Sequence, residues 1–314
     1  MDQIQHKYVE TRGLKLHIAE IGTGDSVVVF LHGFPEIWYS WRYQMIAVAN
    51  AGFRAIAPDY RGYGLSDIPP EPEKASYSDL IQDLLSIFDS LAISKAFIVG
   101  KDFGARPAYQ FALEHPERVI GVATLGVPFV PPGFSSAFAS PGCLPEGFYI
   151  LRWQEPGRAE ADFGRLEVKN VIRNIYILFS KSEVPIAEED KEIMDLVDQS
   201  HPLPPWFTEE DLSAYASLYE KSGFRTALQV PYRALHEDYA VTNPKVQVPA
   251  MLIMGGKDYV LKFPGMEEYI TSGKVKEFVP NLEITFLPEG THFVQEQSPD
   301  QVNQLLMNFF RNHI

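Results

Sequence analysis

Five consecutive residues, Gly100-Lys101-Asp102-Phe103-Gly104, set an acid between two glycines. An apolar, β-favouring run, Phe97 to Val99, leads in, and a helix-forming stretch, Ala108 to Glu114, leads out. Glycines on both flanks let a strand and a helix meet in a turn tight enough to strain its central residue. The spacing therefore predicts a nucleophile elbow with Asp102 at its tip. Esterases place Ser there. A carboxylate with an ordinary pKa of about 3.9 is already ionised at neutral pH and needs no base to activate it. Alone, the same five residues would also suit a β–turn–α connection capped by an Asp.

Two more reactive side chains follow predicted strands. Pro249 to Gly255 runs into Gly256-Lys257-Asp258, and Leu282 to Leu287 runs into Pro288-Glu289-Gly290-Thr291-His292. Open α/β sheets put their sites at such carboxyl ends. Asp102, Asp258 and His292 keep the chain order nucleophile, acid, histidine found in α/β-hydrolases. His292 is then a base whose tautomer Asp258 fixes and whose imidazolium it stabilises. A third turn, His32-Gly33-Phe34-Pro35-Glu36, leaves the apolar run Val27 to Leu31, and its proline is expected to be cis. Backbone N–H groups of Phe34 and Phe103 would form an oxyanion hole. The glycine-punctuated loop Asp59 to Gly64 lacks the Gly-Lys-Ser/Thr and the full fingerprint of a nucleotide site, so no nucleotide is expected.

The elements needed to hold these residues are legible as alternation. Tyr8 to Arg12 and Leu14 to Glu20 read as a hairpin, and Phe53 to Pro58 as a short strand. Ser76 and Asp79 form a capping box ahead of apolar residues at helical spacing, from Leu80 to Leu91. The strands Ala96 to Gly100 and Val119 to Leu125 follow, and a helix from about Pro299 to Phe310 closes the chain. Trp38, Tyr39, Trp41 and Tyr43 are expected to be packing residues. Strands alternating with helices predict a mostly parallel, doubly wound α/β sheet. From Val130 to Asn243 the alternation stops. Prolines and glycines, Pro141 among them, break the segment, and Glu188 to Asp198 and Glu209 to Lys221 read as helices. The predicted organisation is a core over residues 1–129, a helical lid over 130–244 and the rest of the core over 245–314.

These motifs resemble the α/β-hydrolase-fold epoxide hydrolases, and closely the plant soluble group. The likeness runs from end to end: His32 to Glu36, Gly100 to Ala105, Phe148 to Gly157, Pro231 to Leu235, Gly256 to Asp258 and Gly290 to Phe293. It implies opening of an epoxide to a vicinal diol through an ester on Asp102. It also implies that Tyr149 and Tyr232, matching the two lid tyrosines of the family, donate to the epoxide oxygen, and that Glu36 aids the His292-activated water. Family members often carry His before the nucleophile and Trp after it; here Lys101 and Phe103 stand instead. A haloalkane or haloacid dehalogenase shares the acid nucleophile, but halide release favours an indole beside it, which Phe103 lacks. A ligand receptor on the same fold is a further alternative.

Composition narrows the partners. Of 314 residues, 46% are hydrophobic and 22% charged, values of a globular chain with a full core. The net charge of −14 disfavours nucleic acid and anionic membranes. Cys143 is the only cysteine, so neither an intramolecular disulfide nor a thiolate metal cluster is expected. The segment Met1 to His6 has no basic or apolar signal region, the Val119 to Phe134 run is too short to span a bilayer, and Arg311 to Ile314 is no targeting address. The expectation is a cytoplasmic enzyme without metal or cofactor, acting on a small epoxide and water. The oligomeric state, a homodimer included, is left open.

Overall fold

Val27–Leu31, Ala96–Lys101 and Ala250–Gly255 are buried at every position, and only a sheet covered on both faces satisfies that pattern. The computed structural model of the chain describes residues 3–134, 142–235, 237, 239, 241, 242 and 244–314. Its eight strands are β1 Gln5–Thr11, β2 Leu14–Ile21, β3 Val27–Leu31, β4 Arg54–Pro58, β5 Ala96–Lys101, β6 Val119–Leu125, β7 Ala250–Gly255 and β8 Leu282–Leu287. They form one sheet in the order β1-β2-β4-β3-β5-β6-β7-β8. β2 runs antiparallel to both its neighbours, and all other pairings are parallel. This is the mostly parallel, doubly wound α/β sheet the alternation predicts. The central strands β3, β5, β6 and β7 therefore all end at the same edge, which collects their following loops into one place.

Helices α1 Arg42–Asn50, α2 Tyr77–Ser90 and α3 Ala105–Glu114 connect the first six strands. α2 begins where the capping box places it: the Asp79 N–H donates to Ser76 Oγ, and the Ser76 N–H donates to Asp79 Oδ2, both at 3.1 Å. Trp38, Tyr39 and Trp41 are buried, whereas Tyr43, expected to pack, is exposed.

Between β6 and β7 the described residues contain helices and loops but no strand. The helices are α4 Tyr149–Gln154, α5 Arg158–Phe163, α6 Val168–Phe179, α7 Glu209–Ser222 and α8 Arg225–Leu228, followed by a π-helical turn, Gln229–Arg233. α7 occupies the expected place, started by a Thr208–Asp211 capping box. The helix expected over Glu188 to Asp198 does not form; only Ile193–Leu196 makes a single 3-10 turn. Its backbone groups are taken by other partners. The Met194 N–H donates to Asp162 Oδ2 at 3.1 Å and the Glu192 N–H to Asp195 Oδ2 at 2.9 Å, while the Glu188 carbonyl accepts from Arg152 at 3.0 Å. An α-helix would need those groups for itself. Pro141 and Asn243 lie outside the described residues. Beyond β8 come α10 Val294–Gln297 and α11 Pro299–His313, with α9 Met266–Thr271 between β7 and β8.

Candidate active site

β5 ends at Lys101 and α3 starts at Ala105, so three residues must turn the chain. Asp102 does so at φ +53°, a left-handed conformation that costs an L-residue energy and persists only where packing enforces it. The two glycines make the approach possible. A Cβ on Gly100 would come within 2.3 Å of the Gly104 carbonyl oxygen, and one on Gly104 within 2.3 Å of the Leu31 carbonyl oxygen.

Around that tip the loops after β3, β7 and β8 converge. His292 Nε2 lies 3.2 Å from Asp102 Oδ1, and His292 Nδ1 lies 2.9 and 3.1 Å from the two oxygens of Asp258. Asp258 Oδ1 also accepts the Val260 N–H at 3.0 Å, which fixes the carboxylate. Phe34 follows a buried turn with a cis Phe34–Pro35 bond, and its N–H donates to Asp102 Oδ2 at 3.2 Å. Burial would raise the Asp102 carboxyl, but the His292 hydrogen bond, Lys101 and the Phe103 N–H together hold it below the usual carboxylate range. Burial, the largest influence, and Lys101 would lower His292, but the Asp258 carboxylate and the Asp102 contact together raise the imidazole above its ordinary value.

Glu36 and Lys101 lie further back, both without solvent exposure. Glu36 accepts the Gly33 N–H at 2.9 Å and the Gln295 side-chain amide at 2.6 Å, and burial raises its carboxyl against the opposing pull of Lys101. Lys101 Nζ has no hydrogen-bond partner among the described residues. A methyl group on Gly126 would lie 3.2 Å from that ammonium and 3.1 Å from Asp258 Oδ2, so the cation sits close behind the His–Asp pair.

In front of Asp102 a cavity of about 120 Å³ is lined by Phe103, Tyr149, Tyr259, Val260 and Phe263, among others. Tyr149 is the first residue of α4, and its ring centroid is 6.1 Å from that of Tyr232 at 85°. Tyr232 stands in the π-helical turn with its ring edge-on to Phe103 at 5.1 Å and to Phe34 at 5.5 Å. Burial raises both phenols above their ordinary value, so both stay protonated donors. The fold thus brings Asp102, His292, Asp258, Phe34, Phe103, Tyr149 and Tyr232 to one place. Tyr259, whose hydroxyl is 3.2 Å from that of Tyr149, was not anticipated; the signal for it was its place directly after Asp258. Among the described residues no group of three or more His, Cys, Asp or Glu side chains is arranged to hold a metal ion, and no helix is long and apolar enough to cross a membrane.

Comparison with known proteins points the same way. The family defined by the alpha/beta hydrolase fold matches residues 26–299. The chain is 37% identical to epoxide hydrolase 2 of Siraitia grosvenorii over 99% of both chains. It is 34% identical to bifunctional epoxide hydrolase 2 of Mus musculus, covering all of this chain and 56% of that one. Among solved structures, an epoxide hydrolase of Vigna radiata superposes with a TM-score of 0.91 at 36% identity over 99% of each chain. Epoxide hydrolase I of potato superposes with a TM-score of 0.87 at 34% identity, over 98% of this chain and 99% of that one.

Proposed function

The chain belongs to the α/β-hydrolase-fold epoxide hydrolases, and on that premise we propose that it opens epoxides to vicinal diols through a covalent ester on Asp102. The observation that carries the reading is an ionised acid at the strained tip of the elbow, 3.2 Å from a histidine that a second acid orients. Asp102 Oδ2 receives the Phe34 N–H, and Oδ1, which rests 3.2 Å from His292 Nε2, is the oxygen that attacks an epoxide carbon. As the carbon–oxygen bond breaks, its electron pair passes to the ring oxygen, to which Tyr149 and Tyr232 donate. An alkoxide is a poor leaving group unless such donors meet it, and two protonated phenols supply them.

The ester then needs water. Neutral His292 takes a proton from it, with Glu36 assisting, and the water oxygen attacks the ester carbonyl. The N–H groups of Phe34 and Phe103 stabilise the oxyanion, and collapse releases the diol and restores Asp102. Residues 130–244 act as a lid that carries both phenols over a core made of residues 1–129 and 245–314. Halide chemistry is disfavoured because Phe103 has no N–H on its ring. A single turnover in oxygen-18 water tests the scheme. The first diol should carry unlabelled oxygen from Asp102 while label enters the protein. Labelled diol with an unlabelled protein would mean direct attack by water.

A further inference from the structure

A third phenol completes the donor group. Tyr259 follows Asp258 directly, and its ring centroid lies 4.7 Å from that of His292 and 5.1 Å from that of Phe179. Its hydroxyl is 3.2 Å from the Tyr149 hydroxyl, both residues are buried, and both line the cavity that contains Asp102. Tyr232, by contrast, is gripped through its ring, by Phe34, Phe103 and Trp153. A phenol has one proton and acceptor lone pairs besides. If Tyr149 spent its proton on Tyr259, it would have none for the cavity. If Tyr259 supplies the proton of the shared bond, the Tyr149 proton is free and its rotor is fixed.

We propose that Tyr259 is a positioning residue for ring opening: it donates its O–H to Tyr149 Oη and thereby turns the Tyr149 proton toward the epoxide oxygen. The inference rests on the epoxide-opening reading above. The balance closes without any further reagent. When the carbon–oxygen bond breaks, the released electron pair takes the Tyr149 proton, and the phenolate left behind is held by the Tyr259 O–H. Hydrolysis of the Asp102 ester to carboxylate and alcohol releases one proton, which returns to Tyr149. Burial raises both phenols, so each enters the reaction with its proton. A donor already accepting a hydrogen bond is also polarised into a stronger donor.

Tyr259→Phe removes only the hydroxyl and leaves the ring against His292 and Phe179. Stopped-flow alkylation of Asp102 by an aryl epoxide should slow about five- to twentyfold, the scale of one lost hydrogen bond to a reacting group. Substrate affinity and the rate of ester hydrolysis should hold at parent values. In a Tyr149→Phe background the same change should cost nothing further, whereas in a Tyr232→Phe background it should cost its full amount. Parent-like alkylation in Tyr259→Phe overturns the inference, as does an equal loss with and without the Tyr149 hydroxyl. A matching loss in ester hydrolysis would assign the effect to packing on His292 and overturn it too. Should the parent protein form no Asp102 adduct with any epoxide, the proposed function itself falls, and this inference with it. An alkylating parent with an equally fast Tyr259→Phe variant removes the inference alone.

Discussion

His292 lies between two carboxylates, Asp258 at Nδ1 and Asp102 at Nε2, and both favour its protonated form. Only Asp258 keeps its charge through the reaction, because alkylation turns Asp102 into a neutral ester. The imidazole pKa must therefore fall as the ester forms, releasing a neutral base at the step that needs one. The sign follows directly: a lower pKa keeps His292 neutral to a lower pH, so the acid limb of ester hydrolysis should lie below the titration of His292 in the resting protein. Imidazole titration by NMR, set against single-turnover hydrolysis rates, measures the two; coincident values would defeat the idea. Alkylation should persist further into acid, because Asp102 is held below the usual carboxylate range. Lys101 acts on all three groups, lowering Asp102, Glu36 and His292. Lys101→Met should accordingly move the hydrolysis limb to higher pH, and an unmoved limb would leave the buried ammonium without an electrostatic part in catalysis.

At the scale of elements, the elbow joins folding to chemistry. Gly100→Ala forces a Cβ against the Gly104 carbonyl, where backbone rather than a flexible side chain must give way. The expected cost is about 1–3 kcal/mol in urea unfolding, together with an alkylation rate that falls further than stability does, because Asp102 moves with the turn. Unchanged alkylation would mean that the turn relaxes without moving its tip. The elbow was legible in the sequence because each part of it is local: a short apolar run, two glycines at fixed spacing and a helix-forming segment. The same holds for Asp258 and His292, each at the end of an apolar strand, and for the Ser76 box that opens α2. The insertion was read less well. The charge-rich stretch from Glu188 resembles an exposed helix, yet its backbone groups are claimed by Asp195 within it and by Asp162 and Arg152, which adjacency in sequence does not single out for that task. α6 went unread although Val171, Ile172, Ile175, Leu178 and Phe179 recur at helical spacing. Tyr259 was missed because its meaning depends on Tyr149, more than a hundred residues away.

At the scale of the whole molecule, the insertion and the sheet-bearing part share a buried ionic joint. Arg42 of α1 donates to Glu296 of α10 at 2.6 Å and to Asp211 of α7 at 2.9 Å, and Tyr176 and Tyr215 donate to the same Glu296 at 3.0 and 3.1 Å. The Tyr176 ring also stacks on Phe293, the residue after His292, with centroids 4.3 Å apart. Through that ring the joint reaches the neighbour of the base. Burial pushes the Glu296 carboxyl up from 4.5 to about 7, although Arg42 opposes it. A carboxyl raised on folding binds more protons folded than unfolded between those two values. Its ionisation therefore removes stability as pH rises through that window, and the loss is complete above about 7. Glu296→Gln abolishes the titration and keeps an oxygen for Arg42 to donate to. Urea unfolding of parent and variant at pH 5 and pH 8 should then diverge, the parent losing stability relative to the variant by a few kcal/mol at most, roughly the size such a shift permits. Parallel behaviour would mean that Arg42 keeps Glu296 ionised across the range. Arg42→Met separates the two cases further. Removing the cation leaves two carboxylates buried without their partner, so at pH 8 it should cost about 3–5 kcal/mol and weaken ester hydrolysis along with stability. At pH 5 the cost should shrink, since a protonated Glu296 no longer needs the guanidinium.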